Sequence, residues 1–118
     1  MKSITSAITS VGGYVPETVL TNFDLEKMVD TNNEWIISRT GIKERRILKD
    51  KSLGTSFMAI NAANKLLQEN DVDPTSIDLV IVSTATPDLP VSSTASFVAT
   101  EIGAINAFGY DIQGACSG

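Results

Sequence analysis

The sequence contains no histidine and a single cysteine, Cys116, in 118 residues. Imidazole is the usual general base near neutral pH, because its unperturbed pKa of about 6.5 lies there. Any Cys–His or Ser–His–Asp machinery must therefore take its base from another segment or another chain. One cysteine cannot staple a fold, and without histidine a zinc site would have to be built from carboxylates. No apolar run approaches the roughly 20 residues of a membrane span, and no charged-then-apolar leader opens the chain. A soluble, cytosolic protein with no membrane partner is expected. Cations are the minority charge, nine Lys+Arg against fourteen Asp+Glu, which argues against a nucleic-acid partner. What remains is a chain 42% hydrophobic, too apolar for disorder and long enough for one modest domain.

Strand and helix patterns alternate along it. Lys2 to Thr9 alternates loosely around Ile4 and Ile8 and predicts a strand, stopped by the turn formers Gly12-Gly13-Tyr14-Val15-Pro16. Beyond Pro16, Leu25, Met28 and Val29 recur at helical spacing, with Thr21 or Asn22 as the cap. A second short helix is predicted to start at Thr31, with Glu34 completing a capping box, and to stop near Gly41. Ile42 to Lys51 is strand-like and basic; with Arg39 it gathers six of the nine cations into thirteen residues. Phe57, Ile60, Ala63, Leu66 and Leu67 fit a long amphipathic helix from Leu53 to Leu67, ended by Asn70 and Pro74. Ile77 to Val82 is the nearly continuous apolar run of a parallel strand covered on both faces. After the turn Thr86-Pro87-Asp88-Leu89-Pro90, Ser92-Ser93-Thr94 caps an Ala-rich helix to about Ile102, ended by Gly103. Ala107 to Ile112 is the last strand. The order β–α–α–β–α–β–α–β, without linker or repeat, implies an α/β layered fold.

Gly114-Ala115-Cys116-Ser117-Gly118 follows that last strand directly. Small residues on each side of a central nucleophile let the backbone bend sharply, as at a strand-to-helix elbow. A helix N-terminus favours the thiolate, and the amides of such a turn can hold the oxyanion of an attacked acyl carbonyl. Cys116 thus has the setting for covalent acyl transfer; the competing reading is a small apolar core filler. A domain rarely ends on a tight turn after a core strand. Residues 1–118 are therefore expected to be the N-terminal part of a longer enzyme, cut just after the cysteine. The alternative is a complete domain with a solvated Gly/Ser tail.

Three stretches stand in register along the chain: Gly12-Gly13-Tyr14-Val15-Pro16, Val29-Asp30-Thr31-Asn32-Asn33-Glu34-Trp35-Ile36-Ile37-Ser38-Arg39-Thr40-Gly41-Ile42-Lys43-Glu44-Arg45, and Asp111-Ile112-Gln113-Gly114-Ala115-Cys116-Ser117-Gly118. Together they resemble the β-ketoacyl-acyl-carrier-protein synthase III family: its Gly-x-Tyr-x-Pro turn, the signature near its start, and its active-site cysteine elbow. The resemblance covers the whole chain but only about the first third of a family member. It implies a thiolase-like layered α/β/α/β/α fold, of which 1–118 would be an N-terminal half-domain portion. It also implies a mechanism in which Cys116 takes the acyl group of an acyl-CoA. Malonyl-acyl-carrier protein then loses carbon dioxide, and its carbanion displaces Cys116, initiating fatty-acid synthesis. The family's assisting histidine and asparagine lie later in its chain, so residues 1–118 alone are expected to be inactive. The implied partners are acyl-CoA, malonyl-acyl-carrier protein, a second copy in a homodimer and the remaining C-terminal part of the enzyme. No cofactor is implied, coenzyme A being carried by the substrate.

Trp35 and Arg39 lie four apart on one helix and share a face. Such a pair can sandwich a planar base by stacking and charge, and the resemblance implies that it clamps the adenine of coenzyme A, with Thr31 close by. The plainer reading makes Trp35 a core anchor and Arg39 an ion-pair partner of Glu34 or Asp30. The basic stretch is either a solvated edge or a landing surface for an acidic carrier protein or coenzyme A phosphates, with Lys43 and Arg46 as candidates. Where many family members carry a phenylalanine that crosses the dimer interface to floor the partner's acyl pocket, this sequence has Val91. A smaller side chain there implies longer or branched primers than acetyl; a repacked loop with unchanged specificity is the alternative. Two further readings stay open: a specialised-metabolite ketosynthase of the same fold, and a non-catalytic assembly subunit.

Overall fold

A computed structural model describes residues 5–118, which form two compact units. In Val15–Leu53, strand β1 (Thr18–Thr21) pairs antiparallel with β2 (Glu44–Ile47), Thr18 opposite Ile47 and Thr21 opposite Glu44. Helix α1 (Asn22–Glu26) starts where β1 ends because Thr21 caps it. Thr21 Oγ1 accepts from the Asp24 amide at 3.2 Å, and Asp24 Oδ2 accepts from the Thr21 amide at 3.0 Å. The apolar spacing predicted helix through Val29, yet α1 stops at Glu26. Met28 and Val29 are exposed, so no packing extends a helix this short. β1 itself has no signature in the sequence: four residues with two threonines carry no readable alternation.

Helix α2 (Asn33–Thr40) is capped by Asn32, whose Oδ1 accepts from the Trp35 amide at 2.8 Å. The capping box expected from Thr31 and Glu34 does not form. Asn32 is at least as good a cap as threonine, and Glu26 Oε1 takes the next amide, that of Asn33, at 2.6 Å. α2 ends at Gly41, whose φ of +70° is the left-handed stop that the sequence predicts. At the centre of this unit Asn22 is fully buried, and its amide group has a partner on each side. Nδ2 donates to Ile42 O at 2.8 Å and Asn33 Oδ1 at 3.1 Å, and Oδ1 accepts from Arg45 Nη2 at 2.9 Å. A buried amide so satisfied fixes α1, the start of α2 and β2 to one another.

The other unit joins Gly54–Gly118 to the described residues up to Tyr14. Strands β3 (Leu79–Ser83) and β4 (Phe108–Ile112) run parallel, Leu79 beside Phe108 and Ser83 beside Ile112. Helix α4 (Thr94–Glu101) packs on both strands and against helix α3 (Thr55–Glu69). The core consists of Leu67 from α3, Val82 from β3, and Ala95, Val98, Ala99, Ile102 and Ala104 from α4 and its exit. α4 comes very close to β4: a Cβ on Gly109 would lie 2.8 Å from the Ser96 nitrogen and 2.9 Å from the Ala95 carbonyl carbon. One-turn helices at Pro74–Ser76 and Ala115–Ser117 complete the chain. No helix among the described residues is long and apolar enough to cross a membrane.

Two expectations need correction. Residues 2–4 of the strand predicted over Lys2–Thr9 lie outside the described residues, and residues 5–9 join no ladder, with Ile8 89% exposed. The described residues cover the β3–β4 sheet on one face only. Val80 and Val82 turn toward α3 and α4, whereas Leu79, Ile81, Phe108, Tyr110 and Ile112 are exposed on the other face. The apolar run was read correctly as strand, but its second cover is not supplied by the described residues.

The joint between α4 and β4 is electrostatic as well as steric. Asp111 of β4 receives the Thr94 amide at 2.8 Å, the Ala95 amide at 2.8 Å and the Ser93 hydroxyl at 3.1 Å. Burial opposes ionisation of this carboxyl, yet the Ala95 and Thr94 amides and the Ser93 hydroxyl outweigh it and hold its pKa below the usual value of 3.8. A pKa lowered by folding stabilises the fold above the unfolded-state value, and that stability is lost as the pH falls through the folded-state value. Asp111→Asn, which has no charge to lose, is expected to melt roughly 5 °C or more below wild type at pH 7. The gap should close as the pH is lowered below 3.8, in thermal melts monitored by circular dichroism. A gap that stays constant across that range would assign the loss to shape alone.

Candidate active site

β4 delivers its last residue, Ile112, to a turn made of Gln113, Gly114 and the one-turn helix Ala115–Ser117. The Ser117 amide donates to Gly114 O at 2.9 Å and the Gly118 amide to Ala115 O at 3.3 Å, which closes the turn. Ala115 has a φ of +45°, a conformation that costs a side-chain-bearing residue about 1 kcal/mol or more. The bend falls directly before Cys116, which is free and exposed. Cys116 takes no part in the core that the described residues form. With the Ser117 and Gly118 amides committed to the turn, the Cys116 amide has no acceptor among the described residues.

The elbow stands at the carboxyl ends of the two parallel strands, the end at which open α/β sheets receive ligands. Gly118 lies against Ser83, the last residue of β3, and the Thr84 amide donates to Ile112 O at 3.0 Å. The segment from Thr84 to Ser93 leaves β3 at this same edge. Val91, on that segment, is 99% exposed.

Trp35 and Arg39 belong to the other unit. Trp35 is 56% exposed, and Arg39 makes no ion pair among the described residues. The guanidinium carbon of Arg39 lies 5.8 Å from the Trp35 ring centroid, a cation–π contact. A base stacked between the two would need about 7 Å, two van der Waals contacts of about 3.5 Å each. The pair is thus closed on itself and must open by roughly an ångström to take a planar guest. Thr31 is half-buried, directly before the cap Asn32.

The basic stretch divides into two kinds. Arg45 donates to Asn22 Oδ1 and to Leu20 O, and Arg46 Nη1 to Pro16 O at 3.3 Å and Glu17 O at 3.4 Å. These two arginines hold the β1–β2 unit together, which weakens Arg46 as a ligand-binding candidate. Lys43 is exposed and makes no ion pair among the described residues. Sequence reasoning missed Asn22 and Asp111 as organisers. Asp111 could have been found, since an acid inside an otherwise apolar strand needs buried donors.

A thiol on a turn directly after a parallel strand suits covalent acyl chemistry, and the fold of the chain is thiolase-like. The comparisons with known proteins agree. The chain is 53% identical over its whole length to the β-ketoacyl-acyl-carrier-protein synthase III of Phocaeicola vulgatus, and spans 35% of that protein. It superposes on the crystal structure of 3-oxoacyl-acyl-carrier-protein synthase III from Aquifex aeolicus with a TM-score of 0.85 at 48% identity, covering 92% of this chain and 35% of that one. It also superposes on the priming β-ketosynthase of the R1128 polyketide pathway, with a TM-score of 0.80 at 37% identity, covering 87% of this chain and 30% of that one. No protein-family model matches. The chain is homologous from end to end to the β-ketoacyl-acyl-carrier-protein synthases III and corresponds to about a third of such a protein.

The Trp35–Arg39 pair generates a direct test. Trp35→Ala is expected to weaken binding of an adenine nucleotide by roughly tenfold or more, the worth of one base stacked on an aromatic ring. Calorimetric titration of the full-length protein measures it. Reaction with a thioester of pantetheine, which has no base, should be unchanged.

Proposed function

We propose that the chain is the N-terminal part of a cytoplasmic β-ketoacyl-acyl-carrier-protein synthase III, which condenses an acyl-CoA primer with malonyl-acyl-carrier protein to begin fatty-acid synthesis. The observation that carries this reading is the exposed thiol of Cys116 on a strained elbow at the carboxyl ends of β3 and β4.

In the first half-reaction the Cys116 sulfur attacks the thioester carbonyl. A C–S bond to Cys116 forms, the C–S bond to coenzyme A breaks, and the thiol proton leaves with coenzyme A. The Cys116 amide is the donor suited to the oxyanion that develops, because the turn makes no use of it. In the second half-reaction malonyl-acyl-carrier protein loses carbon dioxide and its carbanion carbon attacks the acyl-cysteine. A C–C bond forms, the C–S bond breaks, and the released Cys116 thiolate takes a proton from water. The groups that assist decarboxylation come from outside these 118 residues, which contain no histidine. Trp35 and Arg39 hold the adenine of coenzyme A beside Thr31, and Lys43 steers the acidic carrier protein. Val91 reaches the acyl pocket of a second copy in a homodimer.

Similarity to a polyketide-priming ketosynthase supports a second reading, in which the same chemistry serves specialised metabolism. The two differ in primer and carrier, not in the role of Cys116. A non-catalytic assembly subunit would leave Cys116 inert toward thioesters.

Intact-mass spectrometry of the full-length protein incubated with acetyl-, isobutyryl- or hexanoyl-CoA tests the proposal. One acyl group is expected on Cys116 and none on Cys116→Ala, with prior acylation protecting the thiol from iodoacetamide. Wild-type protein that acquires no acyl group would sink the catalytic reading. With Val91 in the pocket, isobutyryl and hexanoyl groups should load at rates comparable to acetyl. A strict acetyl preference would remove Val91 from that role.

A further inference from the structure

The segment 84–93 is tied to its surroundings at both ends. At the start, the Thr55 hydroxyl donates to Thr86 O at 2.7 Å, and the Thr86 amide donates to Thr84 Oγ1 at 3.0 Å. At the far end, Ser93 and the first amides of α4 sit on Asp111. Between these ties Asp88 reaches α3, where the Ser56 amide donates to Oδ1 and Oδ2, each at 3.1 Å. α3 has no cap of its own, since the residue before it, Gly54, has no side chain to offer. Asp88 therefore serves as the cap of a helix 32 residues away in sequence.

Gly54 is the other half of this contact. Its φ of −129° is extended backbone that any residue adopts, so conformation does not demand glycine here. Space does: a Cβ on Gly54 would lie 2.8 Å from Asp88 Cγ and closer still to Oδ1. Glycine leaves a notch, and the Asp88 carboxylate fills it. Leu89 and Val91 follow, both exposed, on backbone held on either side. The segment leaves the sheet beside the elbow, where Thr84 meets Ile112 and Ser83 meets Gly118. Val91 lies three residues after Asp88.

We propose that Asp88, seated in the notch at Gly54, is a positioning residue that sets acyl-chain selectivity by fixing where Leu89–Val91 stands. This rests on the functional reading above, in which Val91 borders the acyl pocket. Asp88 touches no reacting atom and acts through the backbone of the segment. Breaking the contact from either side must then have the same effect.

Initial rates of acyl-cysteine formation with acetyl-, isobutyryl- and hexanoyl-CoA, on full-length wild type, Asp88→Ala, Asp88→Asn, Gly54→Ala and the Gly54→Ala/Asp88→Ala double variant, test this. Asp88→Ala and Gly54→Ala should each change the isobutyryl-to-acetyl or hexanoyl-to-acetyl ratio by roughly threefold to tenfold, in the same direction. The double variant should go no further than Asp88→Ala alone, because the added methyl then has no carboxylate to displace. Asp88→Asn, which keeps an acceptor oxygen and the shape, should restore most of the wild-type ratio. A merely structural role would lower all rates together and leave the ratios unmoved, and that result overturns the proposal. So does additivity in the double variant. Wild-type protein that acylates with every primer while the single variants keep its ratios refutes the positioning role alone. Wild-type protein that never acylates refutes the functional reading, and the selectivity role with it.

Discussion

The Asp111 carboxylate is the constraint on which the thiol-bearing unit depends. Two backbone amides at the start of α4 would otherwise face a protein interior with no acceptor, and one strand residue answers both at 2.8 Å. The same residue belongs to the strand that ends at the elbow, five positions before Cys116. The helix start, the strand and the nucleophile thus share one frame. Gly109 makes this possible, because only a residue without a Cβ lets α4 approach β4 closely enough for the carboxylate to reach. Steric permission and electrostatic attraction act at the same joint, two residues apart. Neither would produce it alone.

The smaller unit solves a different problem with a neutral group. Asn22 is buried and has both ends of its amide engaged, and Arg45 supplies one of those bonds. The arginine is thereby withdrawn from any role at the surface. The cationic stretch thus looks like a ligand-binding surface in sequence but is partly internal scaffolding in space. Trp35 shows the reverse. A lone tryptophan in a small domain is expected inside, yet here it stands in solvent with Arg39 over its ring. Exposing an indole leaves a large apolar surface in water, and a cation–π contact recovers little of that. An aromatic ring held out in this way is suited to a guest.

The sequence was most legible where period and punctuation coincide. α3, α4, β3 and β4 carry long apolar patterns bounded by glycine, proline or serine, and each stands within about two residues of its expected place. The stop at Gly41 was equally plain, since a left-handed residue at a helix end favours glycine. Legibility failed where neighbours decide. Thr31 and Asn32 are both competent caps, and the outcome depends on Glu26, which no local pattern links to Asn33. β1 exists because β2 lies beside it. Cys116 and the Trp35–Arg39 pair stand out in the sequence because their residue types are chemically marked. Asp88 was seen only as a turn residue, because its meaning lies in the absence of a side chain at Gly54.

Half of what the β3–β4 sheet requires is visible in its own residues. The inner row, Val80 and Val82, meets the small side chains of α4, while Leu79 beside Phe108 and Ile81 beside Tyr110 form an outer row that the described residues leave exposed. Parallel strands are stable when both faces are covered, because neither face carries polar side chains to meet water. A row of large apolar residues in matched register is therefore a packing surface, specified as closely as the inner one. The turn that carries Cys116 follows β4 almost directly, so it stands at the end of this row. The exposed outer row and the turn that carries Cys116 thus belong to the same pair of strands.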